Sequence, residues 1–163
     1  MVRGPLSQRM NTAVSMTTVR IYSNDDLPNW VADEIRFLTK PDGENRALFS
    51  DFAHDNDRSK LPPDSKFAIA YNDKDYELQP IGWVMASLWE GVTCIQGFVK
   101  EDMRQRKIAA ALSALALADH PKETIGVFSD HFARIGRWLG YKIVRQYTRV
   151  EDGWIIKDGA EPE

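Results

Sequence analysis

Residues 93–119 read TCIQGFVKEDMRQRKIAAALSALALAD, and this stretch decides the fold of the chain. The run 93–99 is β-branched, aromatic or small except for Gln96, a composition that predicts a strand buried on both faces. Residues 108–118 are almost entirely apolar, with the large side chains at helical spacing and alanines between them. The stretch therefore predicts a buried strand, a short turn and a helix that lies close to a sheet.

The turn, residues 100–107, carries four basic and two acidic residues. A helix N-terminus presents backbone N–H groups and the positive end of the helix dipole, so a basic turn leading into a helix suits a phosphate group. The same residues also fit an ordinary capping box of Asp102 and Gln105, with the basic side chains merely solvated. Both interpretations stand on the local sequence alone.

Composition predicts one globular domain. The chain has 163 residues, 43% hydrophobic and 28% charged, and is long enough to bury a core. Its net charge of −3 argues against a general nucleic-acid or anionic-membrane binder. The single cysteine, Cys94, lies in the predicted buried strand, which indicates inert packing and excludes a disulfide framework. We expect a cytoplasmic protein without a metal, a nucleic-acid partner or a membrane span.

The remaining patterns predict an α/β (α+β) domain over residues 17–157, between a flexible leader (1–16) and an acidic tail (158–163). We expect a mixed, mostly antiparallel central sheet of about seven strands, with four helices. The predicted strands are 17–23, 66–71, 80–89, 93–99, 124–128, 141–150 and 154–157. The predicted helices are 27–39, 44–54, 108–118 and 130–139, the last capped by Ser129 or Asp130.

Two motifs accompany this order of elements. Residues 99–112, VKEDMRQRKIAAAL, pass from Val through a turn into a helix, and residues 132–141, FARIGRWLGY, end in Leu-Gly-aromatic. Together with the element order they resemble the GNAT superfamily of acyl-CoA-dependent N-acyltransferases, whose signature is Arg/Gln-x-x-Gly-x-Gly/Ala. Arg104 stands at the first position of that signature and Ala109 at the last.

The resemblance implies an N-acetyltransferase that moves an acetyl group from acetyl-CoA to a primary amine of a small molecule or protein. It implies that the strand at 95–99 binds the pantetheine arm through its backbone and that the turn at 104–109 wraps the pyrophosphate. The strand at 124–128 is expected to splay away and leave a gap for the thioester. The residues implied to bind coenzyme A are Ile95, Gly97, Phe98, Val99, Arg104, Gln105, Arg106, Lys107, Ile108 and Ala109. The protein is also a possible homodimer.

Two positions depart from the family pattern. Lys107 replaces the first glycine of the signature, where glycine permits a positive φ or a close approach to phosphate. A left-handed lysine costs about 1 kcal/mol, which its ammonium can offset by pairing with a phosphate oxygen. Gly136 stands where many members carry a Tyr that protonates the leaving thiolate. A second hypothesis is therefore a binding module of the same fold that keeps coenzyme A, or binds a protein partner, without turnover.

Three residues near the expected gap are candidates for the missing acid: Ser129, His131 and Tyr141. Each also has a structural interpretation, as an N-cap, an exposed first-turn residue and a core aromatic, and water can carry the proton instead.

The acceptor side is expected to border the first two helices. These carry an acidic rim that includes Asp51 and Asp55, and a mildly negative rim favours cationic amines. The alternative is a solvated surface without a role. Trp89 and Trp138 are candidates to line the acceptor pocket.

Overall fold

The computed structural model describes residues 17–39, 64–74, 77–100, 107–150 and 153–157. The strands in them are β1 (Thr17–Ser23), β2 (Lys66–Lys74), β3 (Glu77–Trp89), β4 (Val92–Val99), β5 (Thr124–Val127), β6 (Lys142–Val150) and β7 (Gly153–Ile156). The helices are α1 (Asn29–Thr39), α2 (Ile108–Ala116) and α3 (Asp130–Trp138). Every predicted strand is found, with ends shifted by up to three residues. Three of the four predicted helices are found, and the fourth, predicted over 44–54, lies outside the described residues.

The seven strands form one sheet in chain order, β1 to β7. The pairs β1–β2, β2–β3, β3–β4 and β6–β7 are antiparallel, and the pairs β4–β5 and β5–β6 are parallel. Parallel neighbours need a crossover connection, and α2 and α3 supply the two that this sheet requires. The predicted mixed, mostly antiparallel sheet is therefore confirmed.

Helices α2 and α3 cover one face of the sheet. Leu112 of α2 and Phe132 of α3 are buried in a core that also contains Ile95, Ile125 and Ile143 from β4, β5 and β6. The buried side of α2 combines the large Ile108 and Leu112 with small residues, Ala109, Ser113 and Ala116. The small residues let the helix axis approach the strands closely.

Helix α1 covers part of the opposite face. Its buried Val31 packs in a core with Trp83 of β3 and Phe98 of β4. Further along the same face lies a smaller aromatic cluster of Cys94, Phe128 and Tyr147, with Trp89 and Val92 against it. Because alternate residues of a strand point to opposite faces, Cys94 and Phe98 share one face of β4 while Ile95 lies on the other.

Gly136 lies on the buried side of α3 and faces the sheet. A Cβ atom there would lie 2.9 Å from the Cδ1 atoms of both Ile125 and Ile143. Gly136 is the residue that stands where many members of the resembled family carry a Tyr. A Tyr ring at this position would have to enter the core between β5 and β6.

The substitution Gly136→Tyr is therefore expected to destabilise the fold and not to create a catalytic group. Overpacking a core costs about 1–3 kcal/mol, so the melting temperature should fall by roughly 2–12 °C, as measured by thermal denaturation. Gly136→Ala is the matched control, because its single methyl meets only the ends of two flexible side chains. A Tyr variant as stable as the wild type would contradict this packing.

Candidate functional site

The sheet opens between β4 and β5. These strands pair over two residues only, Cys94 with Gly126 and Ile95 with Val127. β5 ends at Val127, whereas β4 continues to Val99 in register with β3. Parallel strands carry their carboxyl ends to the same edge of a sheet, so a gap opens between the second half of β4 and the segment that follows β5. This gap lies where the strand predicted at 124–128 was expected to splay away from β4.

A cavity of about 310 Å³ lies in this gap and is named the cleft. Its lining residues come from the end of β4, the first turn of α2 and the start of α3. They are Gly97, Phe98, Val99, Ala109, Ser129, His131 and Phe132. The structure thus brings together four of the residues implied to bind coenzyme A and two of the three candidates for the acid.

Two helix N-termini meet at the cleft, because α2 follows β4 and α3 follows β5. The first backbone N–H groups of a helix have no partner within the helix, and the helix dipole adds positive potential there. In α3 the Oγ atom of Ser129 accepts a hydrogen bond from the backbone N–H of Phe132 at 3.1 Å. Ser129 is therefore the N-cap of α3, and its predicted structural role is confirmed.

Lys107 occupies the N-cap position of α2 in a left-handed conformation, with φ 58° and ψ 27°, and makes no side-chain cap. This is the conformation that a glycine at the same position of the family signature would adopt without strain. The helix begins at Ile108, and Asp102 and Gln105, the residues of the possible capping box, lie outside the described residues. Arg104, Gln105 and Arg106 lie outside the described residues.

A second cavity, of about 260 Å³, lies between α2 and α3 and is named the outer groove. It is lined by Lys107, Ala110, His131, Arg134, Ile135 and Trp138. His131 lines both this groove and the cleft. Among the described lining residues of the groove, Lys107 and Arg134 carry permanent charge, and both are cationic. The two cavities thus lie next to each other, on either side of His131.

Asp130 ties the start of α3 to the closing hairpin. Its Oδ1 atom accepts hydrogen bonds from Gln146 Nε2 at 2.6 Å and from Lys157 Nζ at 2.8 Å. The hydrogen bond from Lys157, followed by that from Gln146, holds the pKa of the Asp130 carboxyl below its usual value. The two hydrogen bonds of Asp130 thus anchor the start of α3 to the closing hairpin.

Tyr141 lies away from the cleft. Its hydroxyl donates to the backbone oxygen of Leu117 at 3.4 Å, just beyond the C-terminal end of α2. The cleft is at the N-terminal end of that helix, and a helix of nine residues is about 13 Å long. The predicted role of Tyr141 as an acid is therefore not supported, whereas its half-buried aromatic contact with the core is observed.

The other predicted site residues divide into three groups. Ile95 and Ile108 are buried in the core that α2 shares with the sheet, so their side chains hold α2 against β4 and do not face the cleft. Trp89 packs edge-on against Phe128, with ring centroids 6.2 Å apart, and lies in the aromatic cluster of the opposite face. Asp51 and Asp55 lie outside the described residues.

Sequence reasoning missed Phe132 in the cleft and Arg134 in the outer groove. Both stand on α3, one and three residues after His131. The helical spacing of His131, Arg134 and Trp138 was the available signal, because residues at these intervals share one face of a helix. The direction of that face depends on how α3 packs, which local spacing does not reveal.

Two further observations concern membrane spans and metal sites. No helix in the described ranges is long and apolar enough to cross a membrane. Among the described residues, no group of three or more His, Cys, Asp and Glu side chains is placed to hold a metal ion. What the described cleft offers to a ligand is therefore backbone, helix ends and a few polar side chains.

The left-handed backbone at Lys107 can be tested by comparing two substitutions. Lys107→Gly should be more stable than Lys107→Ala by about 1 kcal/mol in urea denaturation, because alanine keeps the Cβ penalty of a positive φ and glycine does not. Lys142, an exposed residue at the start of β6 without a positive φ, is the matched control, and there alanine should be the more stable. Equal stability of the two Lys107 variants would show that the turn is not left-handed.

Cys94 provides a test of burial in β4. Burial raises the pKa of the Cys94 thiol to about 12, while an unfolded cysteine titrates near pH 8.5. A group whose pKa is raised by folding adds stability below the unfolded pKa, so this contribution should be lost progressively as the pH rises above about 8.5. Iodoacetamide should alkylate Cys94 in urea but not in buffer, as judged by mass spectrometry. Rapid alkylation of the folded protein would contradict the buried position.

Comparison with known proteins adds no family assignment. Neither a family model nor a curated protein matches this sequence. The observations that bear on function are therefore the cleft, the turn at Lys107 and the motifs of the sequence.

Proposed function

We propose that this protein is an N-acetyltransferase that moves an acetyl group from acetyl-CoA to a primary amine. The observation that carries the proposal is the cleft, where two parallel strands part and two helix N-termini meet. Such a site offers a strand edge to an extended chain of amides and positive potential to phosphate groups. Coenzyme A combines these features in one molecule, because a pantetheine arm with amide groups is joined to a pyrophosphate.

The described residues suit the two parts of the donor in different ways. Residues 97–99 of β4 line the cleft where β5 no longer covers the strand, so the pantetheine arm would lie along their backbone. The pyrophosphate would lie at the start of α2, next to Lys107. The left-handed backbone of Lys107 gives the turn the shape that the signature glycine provides, and its ammonium adds a charge that glycine lacks.

The reaction forms a C–N bond and breaks a C–S bond. A neutral amine attacks the thioester carbonyl carbon, the nitrogen loses a proton, and the sulfur leaves as a thiolate that gains one. Ser129 already accepts the N-cap hydrogen bond and Tyr141 lies beyond the far end of α2. We therefore assign proton transfer to His131, which is exposed and lines the cleft, with water as the carrier to bulk solvent.

A binding module of the same fold is the competing function. It is favoured by the packing of Gly136, which leaves no room for the Tyr that many members of the resembled family use as an acid. Such a module would bind coenzyme A or a protein partner in the same cleft without transferring an acyl group. The acceptor of the leading proposal is a primary amine of a small molecule or protein, and cationic amines are the class that the acidic rim expected from the sequence would favour.

Isothermal titration calorimetry with acetyl-CoA and with desulfo-CoA tests the donor site. Both should bind the wild type, and Lys107→Glu should weaken binding at least tenfold, or about 1.4 kcal/mol, because it places a negative charge beside the pyrophosphate. The matched control is Arg137→Glu, the same reversal at an exposed residue of α3 that is not part of the described lining of either cavity. Equal affinity of the Lys107 variant and the wild type would refute this placement of the phosphates.

Turnover separates the two functions. With a panel of primary amines at saturating acetyl-CoA, the enzyme should release free thiol at a rate that rises with pH as the amine deprotonates. His131→Ala should lower kcat by a much larger factor than it weakens acetyl-CoA binding. Tight acetyl-CoA binding with no thiol release for any amine would favour the binding module.

A further inference from the structure

A third cavity, of about 270 Å³, lies just beyond the C-terminal end of α2 and is named the far cavity. Its lining comes from the chain before β2, from the hairpin of β3 and β4, and from the connection between α2 and β5, and includes Asp64, Leu88, Thr93, His120, Lys122 and Thr124. The cleft lies at the first turn of α2, and a helix of nine residues is about 13 Å long. The far cavity is therefore separate from the cleft, and its size suits a small metabolite.

The far cavity contains two opposite charges that do not pair with each other. Lys66 and Asp119, which line an adjoining cavity, form an ion pair at 2.8 Å. Within the described ranges, the carboxylate of Asp64 and the ammonium of Lys122 make neither an ion pair nor a hydrogen bond. Hydrogen bonds between charged groups are about twice as strong as those between neutral groups. A ligand that carries one positive and one negative group can therefore bind both side chains at once.

His120 adds a hydrogen-bond acceptor to this lining. Its Nε2 atom lies 2.9 Å from the backbone oxygen of Thr124, and because a carbonyl oxygen only accepts, Nε2 carries the proton of this hydrogen bond. In the neutral ring the Nδ1 atom is then an acceptor, and in the described part of the chain it has no hydrogen-bond donor. The ring also contacts Tyr141, with centroids 6.1 Å apart, so its position is held from a second side.

Leu88 gives the far cavity an apolar surface. Its side chain is 46% exposed, although β3 has a paired strand on either side. Leu88 lies across from Thr93 and two residues after Ala86, so it is on the face of the sheet that α2 covers. An apolar group of a ligand that covers this side chain would be removed from water together with it, which is favourable.

We propose that the far cavity binds a free α-amino acid with an apolar side chain. The ammonium group of the ligand pairs with Asp64 and donates to Nδ1 of His120, and its carboxylate pairs with Lys122. The apolar side chain of the ligand covers Leu88. This inference does not rest on the proposed function, because the far cavity shares no described lining residue with the cleft or the outer groove. An amino acid bound here is a ligand of the protein and not the acceptor amine.

A metal ion and a simple anion are poorer occupants of the far cavity. Among the described residues, no three or more His, Cys, Asp and Glu side chains are grouped to hold a metal ion. An inorganic phosphate would pair with Lys122 but would also meet the carboxylate of Asp64, and like charges brought together are unfavourable. A zwitterion matches both charges of the lining.

The experiment compares three probes by calorimetry: L-leucine, L-leucinamide, which lacks the carboxylate, and N-acetyl-L-leucine, which lacks the ammonium. L-Leucine should bind the wild type, and each derivative should bind about tenfold more weakly, because it leaves one protein charge without its partner. Lys122→Gln should weaken binding of L-leucine about tenfold and leave that of L-leucinamide unchanged. Asp64→Asn should likewise weaken L-leucine and leave N-acetyl-L-leucine unchanged.

Three comparisons control for general effects of substitution. Lys142→Gln and Asp25→Asn make the same changes at exposed residues outside the described linings of the cavities, and they should not alter L-leucine binding. Leu88→Ala should weaken L-leucine and leave glycine unaffected, because glycine has no side chain to cover Leu88. In ¹H–¹⁵N NMR spectra, L-leucine should shift the backbone amide signals of Thr93 and Thr124.

The outcomes separate this inference from the proposed function. No binding of L-leucine, or equal affinity for L-leucine and its two derivatives, overturns the far cavity as an amino-acid site. Binding that ignores Asp64 and Lys122 and shifts the amide signals of Gly97 and Phe132 also overturns it, because the amino acid then occupies the cleft as an acceptor would. Binding that depends on Asp64 and Lys122 in a protein that does not bind acetyl-CoA keeps this inference and overturns the acetyl-transfer proposal.

Discussion

The site depends on the unequal pairing of β4 with its two neighbouring strands. β4 is paired with β3 from one end to the other, whereas β5 pairs with it at two residues and then stops. The chain leaves the sheet after Val127 because Ser129 adopts an extended conformation and turns its hydroxyl to the first turn of α3. An N-cap placed this close to the end of a short strand obliges the chain to turn away. The gap beside β4 is the geometric consequence.

Three consecutive residues at the start of α3 have different roles beside this gap. Ser129 caps the helix, Asp130 binds Gln146 and Lys157 of the closing hairpin, and His131 faces the two cavities. The cap at Ser129 and the hydrogen bonds of Asp130 fix the start of α3. His131, the next residue, is therefore held at a defined position. A rigid helix start of this kind is a better support for chemistry than a loop would be.

The start of α2 shows how the chain reaches a special backbone shape without a glycine. Lys107 accepts the cost of a left-handed conformation, and its long side chain reaches the ring of Trp138 on the neighbouring helix. A glycine would relieve the strain but would provide neither the charge nor the contact. Strain of this sort persists where the surroundings hold it and is often found at binding sites. Here it links the two helices that enclose the outer groove.

The sequence by itself determined the elements and their order, because apolar spacing, capping residues and turn residues act over a few neighbouring positions. The strand at 93–99, the alanine-rich helix and the N-cap at Ser129 all follow from such local patterns. The tertiary structure decided what the motif positions face. Gly136 and Tyr141 both stand at positions that the family pattern singles out, yet Gly136 packs on Ile125 and Ile143 and the hydroxyl of Tyr141 reaches Leu117. The direction of a helical side chain depends on how the helix rolls against the sheet, and that rotation is set by the packing of residues distant in the chain. For the same reason only the fold could show that His131, Arg134 and Trp138 line one groove.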